Sequence, residues 1–429
     1  MTALLAGACS SSPGPDAATP IPSSAAPSTT VAASASPSTV PAGADGSFEL
    51  TAARVTIRPP RAGSFRVRGA YPWHRSRCVR AERPTLDARY PGTLSIRTDD
   101  DGTLSVTVTL PFERYLEGIA EVPPTWPIAA LEAQVIAARS YALSRTGWTG
   151  AAGATLDTPI CGTSACQVYG GIPQPPPPGL RRWYRAVRDT TGQVLLFDGR
   201  PADTVYFSTS NGHTYGNETV FGSAPLPYLR PVVERDDGAS PLSHWHVELP
   251  FRDLATTLRA AGAWPHGAPI ASASVVGSAV RLAGGGESRV ISIDAVRDDV
   301  NTWASCLLPA SYPTDGLPVT IPSGWFGMSS GAHSLVVDGR GWGHGVGMVQ
   351  WGAYGKARRG WSASRILAFY YGGLTPRRIP EPGTVQVTVA SGLRSLTVVP
   401  SARGATIAGQ ELGRRKLRIS GGHEVTVSS

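Results

Sequence analysis

No stretch of this chain approaches the ~20 consecutive apolar residues that a membrane-spanning helix requires, so no span is expected. Nor does it contain a block of Lys and Arg with interleaved aromatics. The 39 basic and 31 acidic residues give a formal charge of +8, but the cations come singly or in pairs, as at Arg181-Arg182, Arg358-Arg359, Arg377-Arg378 and Arg414-Arg415. That pattern argues against a nucleic-acid partner and for a simply solvated basic surface, with attraction to anionic polymers or lipid headgroups as the alternative. Charged residues make up only 16% of the chain, and with 49 Gly and 38 Pro this excludes a mainly helical protein and predicts loops, turns and short strands. There is no internal repeat, and no Ser-His-Asp order with a nucleophile elbow. At 429 residues the chain has room for two or three domains of ~100–200 residues each.

Cysteine is sparse, five residues in all, and its placement is informative. Cys9 ends the apolar run Ala3-Leu4-Leu5-Ala6-Gly7-Ala8 and is followed by Ser10-Ser11-Ser12, which resembles a bacterial lipoprotein signal. The expectation is export, with lipid on Cys9 and the membrane touched only through that anchor. Cys78, Cys161, Cys166 and Cys306 remain, an even number that suits an oxidising compartment. The favoured pairs are Cys161 with Cys166, which are close in sequence, and Cys78 with Cys306. Zinc at Cys161 and Cys166 would need further ligands, and the nearest histidines, His74 and His213, are distant in sequence; neither a metal nor another cofactor is expected.

Residues 1–9 form the signal-like start, and residues 10–45 consist mostly of Ser, Pro, Ala and Thr. Such a composition cannot repay the entropy of ordering and reads as a flexible linker. Over residues 46–109 the alternation in SFELTAARVTI, FRVRGAYPW, GTLSIRTDD and GTLSVTVTL predicts antiparallel strands, with a hairpin turn at 99–102. Ile128, Leu131, Val135, Ala138 and Leu143 recur at three-to-five-residue spacing, which predicts a buried helix over 126–146 ended by Gly147. The prolines at 175–178 exclude helix or central strand there. Further helices are predicted near 181–189 and 251–261 and from about 348. Residues 225–330 read as an insertion without clustered chemistry, and residues 383–429 as a small β-rich C-terminal segment. The fold class is therefore α+β, with short helices, antiparallel β segments and β-rich portions at both ends.

The chain is organised around residues 113–143, ERYLEGIAEVPPTWPIAALEAQVIAARSYAL. Glu113, Glu117 and Glu121 are spaced four apart; the chain breaks at Pro123-Pro124 and resumes after Trp126-Pro127 as an Ala-rich helix. A carboxyl held at a helix end among Val122, Pro123, Pro124 and Trp126 suits a general acid, because desolvation raises its pKa. Glu113 and Glu117 read as solvated helix carboxylates, and Arg139 as the partner of Glu121. Three other segments, DTPICGTSACQVYGG, YFSTSNGHT and GWGHGVGMVQWGA, mix Gly or Pro with small polar or aromatic residues where an element ends. Glycine-rich backbone can approach a ligand closely, and Trp126, Tyr169 and Trp342 are candidate faces for stacking on sugars. Together the four stretches predict a cleft for a polysaccharide.

The motifs YLEGIAEVPPTWPIAALEAQVIAARSYA, CQVYGG, YFSTSNGHT and GHGVGMVQWGAYGKA, in this order over roughly residues 110–375, resemble those of the SpoIID/LytB family. Where that family commonly has Glu-Met-Pro, this chain has Glu121-Val122-Pro123. The resemblance implies a SpoIID-like domain over 110–375 and a lytic transglycosylase acting on peptidoglycan glycan strands outside the cytoplasmic membrane. In such enzymes the C6 hydroxyl of muramic acid attacks and leaves a 1,6-anhydro end, so a single carboxyl, here Glu121, serves as acid and base. Arg139, Gln134, Tyr169, Ser208, Ser210, His213 and His344 are the expected substrate contacts, with Asp157 and Asp338 as fallback carboxylates. The second half of the family name implies a competing reading, a non-catalytic wall-binding protein that enhances a cell-wall amidase.

Overall fold

The computed structural model describes residues 38–40, 49–61, 63–70, 85–119, 121–148, 150, 153, 155–172, 178–313, 317–380 and 382–429. Cys9, Cys78 and most of the expected linker lie outside the described residues. The fold is α+β.

Two seven-stranded sheets hold the ends of the chain together. One runs in the order 38–40, 49–52, 425–428, 417–420, 395–400, 64–70, 85–91, and the other 410–411, 406–407, 54–58, 93–98, 104–111, 384–393, 155–161. Each mixes N-terminal with C-terminal strands. The two β-rich ends, expected as separate segments, are thus one body, because each end alone supplies strands with one apolar face and too few neighbours to cover it. Alternation is clean, with Val55 and Ile57 buried between exposed Arg54, Thr56 and Arg58. The turn at 99–102 forms as expected, Gly102 N–H donating to Asp99 O at 2.9 Å. One expectation is corrected: Ser38–Val40 of the Ser/Pro/Ala/Thr stretch is an edge strand, its backbone paired antiparallel with Glu49–Ala52.

The helices α1 (Phe112–Glu117), α2 (Ile128–Arg145), α3 (Arg181–Asp189) and α4 (Asn217–Phe221) follow in the chain, then α5 (Phe251–Ala261), α6 (Ile293–Leu307), α7 (Gln350–Arg358) and α8 (Ala363–Tyr370). Every residue of α2 from Ala133 to Leu143 is buried. Its alanines let α3, α7 and α8 pack closely around it, and it shares a continuous core with both sheets. A helix with apolar residues on all its faces is buried in this way. The insertion and the strand that follows it share a second core, from Trp245, Leu249 and Leu254 through Val296 and Val300 to Val337. Among the described residues no helix is long and apolar enough to cross a membrane.

Candidate active site

Helix α1 stops at Glu117, capped by Gly118, so the spacing of the three glutamates does not place them on one helix. Beyond the cap, Gly118 O accepts from Gly170 N–H at 3.0 Å, and Ile119 bridges Tyr169. This short pairing carries the chain past residues 167–169, and Glu121 lands against them. Its side chain is 4% exposed. Val168 N–H donates to Oε1 at 3.0 Å, and the Tyr206 hydroxyl donates to Oε2.

The direction of the second bond is fixed by its neighbours. Gln167 Nε2 donates to the carbonyl of Ala138 at 3.1 Å, and a carbonyl can only accept, so the amide orientation is determined. The same Nε2 donates to the Tyr206 oxygen at 2.9 Å, while Gln167 Oε1 accepts from the Tyr115 hydroxyl at 2.7 Å. Tyr206 therefore accepts from Gln167 and turns its own proton to Glu121. Burial pushes the Glu121 carboxyl up to about 7, and the Tyr206 and Val168 donors pull in the opposite direction. Removing a donor to the charged form raises a pKa. In a Tyr206→Phe protein the Glu121 carboxyl is thus expected to titrate above 7, by roughly one unit. Carbon-13 NMR of the glutamate carboxyls across pH 5–9 checks this, and an unchanged midpoint would refute the role of the tyrosine.

The loop bearing Glu121 continues to Trp126, whose ring meets Trp351 at 5.0 Å and Tyr354 at 5.1 Å between centroids. Trp351 and Tyr354, on the first turns of α7, are half-buried. Trp126, Tyr169 and Trp342 are themselves buried, so the aromatic faces available beside Glu121 differ from those expected. Cys161 and Cys166 form a disulfide with a Cα–Cα distance of 5.5 Å, closing the turn that delivers Gln167 and Val168. Cys306 is also disulfide-bonded.

Several expected substrate contacts are held inside the protein. Arg139 does not reach Glu121: its Nε and Nη2 bind Glu113 at 2.9 and 2.8 Å, and Nη1 donates to Gln193 O at 3.1 Å. Glu113 is thus its ion-pair partner, and Glu117 pairs with Arg114; neither is a free helix carboxylate. Gln134 is buried facing Gln350 across the α2–α7 contact. Tyr169 stacks on Tyr90 and leans on Tyr115 in the core. The Ser210 hydroxyl donates to Asp237 at 2.7 Å, and Ser208 is buried against Thr209. His344 Nδ1 accepts from Val346 N–H at 3.1 Å, so Nε2 carries the proton and donates to Tyr206 O at 3.0 Å. Burial pushes its imidazole down to about 4. It is a neutral clamp on the residue whose hydroxyl reaches Glu121. His213 is partly exposed, its ring 4.5 Å from that of Tyr215. Asp338 pairs with His246 on the exposed face of the insertion, and the Asp157 side chain is outside the described residues.

The glycine-dense loop also serves packing. At Gly345 (φ +84°) a Cβ would strike both Trp325 and Tyr215 at 2.8 Å, so the residue's smallness admits these rings rather than a ligand.

The family model for stage II sporulation protein matches residues 100–197, which contain Glu121, Gln167 and Val168. An amidase enhancer of Bacillus subtilis is 28% identical over 59% of this chain and 39% of its own length. Stage II sporulation protein D of the same organism is 27% identical over 62% of this chain and 74% of its own. The chain belongs to the SpoIID/LytB family. An uncharacterised protein of Brachyspira hyodysenteriae is 30% identical, covering 66% of this chain and 71% of the relative. The first three motifs build the surroundings of Glu121, and the fourth supplies Trp351 and Tyr354. Tyr206 and Gln167 lay inside motifs already evident in the sequence, but their roles were not legible. The available signal was a tyrosine beside the core residue Phe207 in a short buried strand.

Proposed function

We propose that this chain is a peptidoglycan lytic transglycosylase that cleaves the MurNAc–GlcNAc bond with Glu121 as acid and base. One observation carries the reading: a buried carboxyl, raised to about 7 and accepting from the neutral Val168 N–H and Tyr206 O–H, sits on the loop that reaches the half-buried Trp351 and Tyr354. Hydrolysis by two carboxyl groups needs a second one ~5–9.5 Å away, whereas internal attack does not. Protonated Glu121 gives its proton to the glycosidic oxygen as the bond from muramoyl C1 to GlcNAc O4 breaks. The resulting carboxylate takes the proton of the muramoyl C6 hydroxyl as O6 bonds to C1. No water is consumed, and the 1,6-anhydro end forms with Glu121 protonated again. Val168 N–H and Tyr206 O–H stabilise the carboxylate in between, being already oriented toward it. On this reading the protein works outside the cytoplasmic membrane, with Cys9 as the anchor.

Incubation of the purified protein with peptide-free glycan strands is expected to give new anhydro-ended fragments by mass spectrometry. The amidase enhancer among the relatives favours a second reading, in which the chain binds wall and accelerates a separate amidase. Binding of strands with no new ends, together with faster release of stem peptides when an amidase is added, would decide for it.

A further inference from the structure

The outer face of the sheet that includes 64–70 and 85–91 carries a charge pattern that folding alone does not favour. One rung sets Asp87 opposite Arg68, Arg68 opposite Thr397, Thr397 opposite Arg418 and Arg418 opposite Ser428. Two residues along, Arg66 stands directly opposite Arg89. Phe65, Val67, Tyr90, Leu417 and Ile419 point into the core, so by alternation the four arginines share the outward face. Like charges directly opposite one another destabilise a sheet.

Asp87 answers part of this charge. It accepts from Arg66 at 2.8 and 2.9 Å and from Arg68 at 3.1 Å, and the Arg66 hydrogen bond holds its carboxyl down at about 2. Among the described residues no carboxylate pairs with Arg89 or Arg418, and the next acid on the sheet, Glu49, stands beyond Ser428. The face is also concave: a recess of about 760 Å³ is lined by Arg68, Asp87, Thr397, Arg418, Ser420 and Ser428.

We propose that this face binds a linear polyphosphodiester with a polyol backbone. Residues two apart on a strand are ~6.7 Å apart and neighbouring strands ~4.8 Å, so the guanidinium groups are distributed in two directions, as a chain of phosphates requires and a single phosphate does not. Arginine grips phosphate in bidentate fashion, and the hydroxyls of Thr397, Ser420 and Ser428 suit polyol oxygens. A lipid surface fits less well, since the exposed large apolar residues Phe221, Val233, Val276, Val290 and Leu307 all lie elsewhere. This inference stands apart from glycan cleavage.

The test is binding of the full chain to poly(glycerol phosphate) at several salt concentrations, read by titration calorimetry. Arg68→Gln/Arg418→Gln keeps the Arg66–Asp87 pair. It is expected to weaken binding roughly ten-fold and to lower the slope of log affinity on log salt by about 1.5, since two phosphates would no longer be neutralised by arginine. Arg281→Gln/Arg289→Gln removes the same charge from the insertion and is expected to leave affinity unchanged. Equal weakening by both pairs, or none by the first, overturns the proposal. So does tighter binding to phosphatidylglycerol vesicles that depends on Arg68 and Arg418, which would make lipid the occupant.

Discussion

The Glu121→Gln protein is expected to release anhydro-ended fragments ~10²–10⁴-fold more slowly than the parent, the range that a positioned acid or base contributes, and yet to be more stable than the parent at pH 8. Both effects have one origin. Burial holds the Glu121 carboxyl up to about 7, against an ordinary value of 4.5. A group whose pKa rises on folding contributes its full stability below the unfolded value and loses it as pH climbs through the folded one. Between pH 4.5 and 7 the parent therefore loses on the order of 3 kcal/mol that a glutamine, unable to ionise, retains. Glutamine offers an acceptor to only one of Val168 N–H and Tyr206 O–H, a mismatch of about 1 kcal/mol. The net gain at pH 8 is about 2 kcal/mol, and at pH 4.5 the variant is slightly the less stable of the two.

Denaturant midpoints at the two pH values, alongside the strand digestion, check this. Parent-level release would move the acid to another residue. A stability difference equal at pH 4.5 and 8 would mean that Glu121 is not the group titrating near neutrality. A carboxyl that costs stability where the protein works is what an acid site requires, since the desolvation that lets it hold a proton near neutrality also disfavours its folded, charged form.

Local pattern carried much of this structure in the sequence. Period-two runs gave the strands, the apolar spacing from Ile128 to Leu143 gave the buried helix, and Glu121 beside Pro123 and Trp126-Pro127 stood out as a desolvated carboxyl. The partners of Glu121 were hidden because they are distant in the chain: Val168 is 47 residues away and Tyr206 is 85. Nothing in residue spacing says that the cap at Gly118 turns the chain toward Tyr169. That Arg139 pairs with Glu113 rather than Glu121 is hidden for a similar reason. Its helix is buried on every side, so a guanidinium there must find partners within the core, and α1 offers Glu113 before the chain reaches Glu121. The shared sheets of the two chain ends were equally out of reach, since strand pairing over more than 300 residues leaves no local mark; Ser64 and Ser401, joined by a 2.9 Å hydrogen bond, are an example.

Lys356, in the motif GHGVGMVQWGAYGKA, looks like a substrate-binding cation and is expected to behave as a structural one. It is 1% exposed. Its Nζ donates to Glu234 Oε1 and Oε2 at 2.8 and 3.0 Å and to Asp236 Oδ2 at 3.0 Å, with the Phe369 ring centroid 4.3 Å away. Glu234 also accepts from the N–H groups of Arg235 and Asp236 and from the Tyr370 hydroxyl. Gly355 lets residue 236 approach α7, since a Cβ there would collide with the Asp236 carbonyl. Lys356→Met preserves the aliphatic stem but strands the buried Glu234 charge, which is expected to cost about 3–5 kcal/mol. Arg359 binds the same Asp236 at 2.7 Å from an exposed position, so Arg359→Gln should cost under about 1 kcal/mol. Chemical denaturation of the two variants gives the comparison. Equal losses would mean that burial does not set the energetics of this network. Loss of strand cleavage in Lys356→Met at a temperature where it remains folded would place the lysine in the active site.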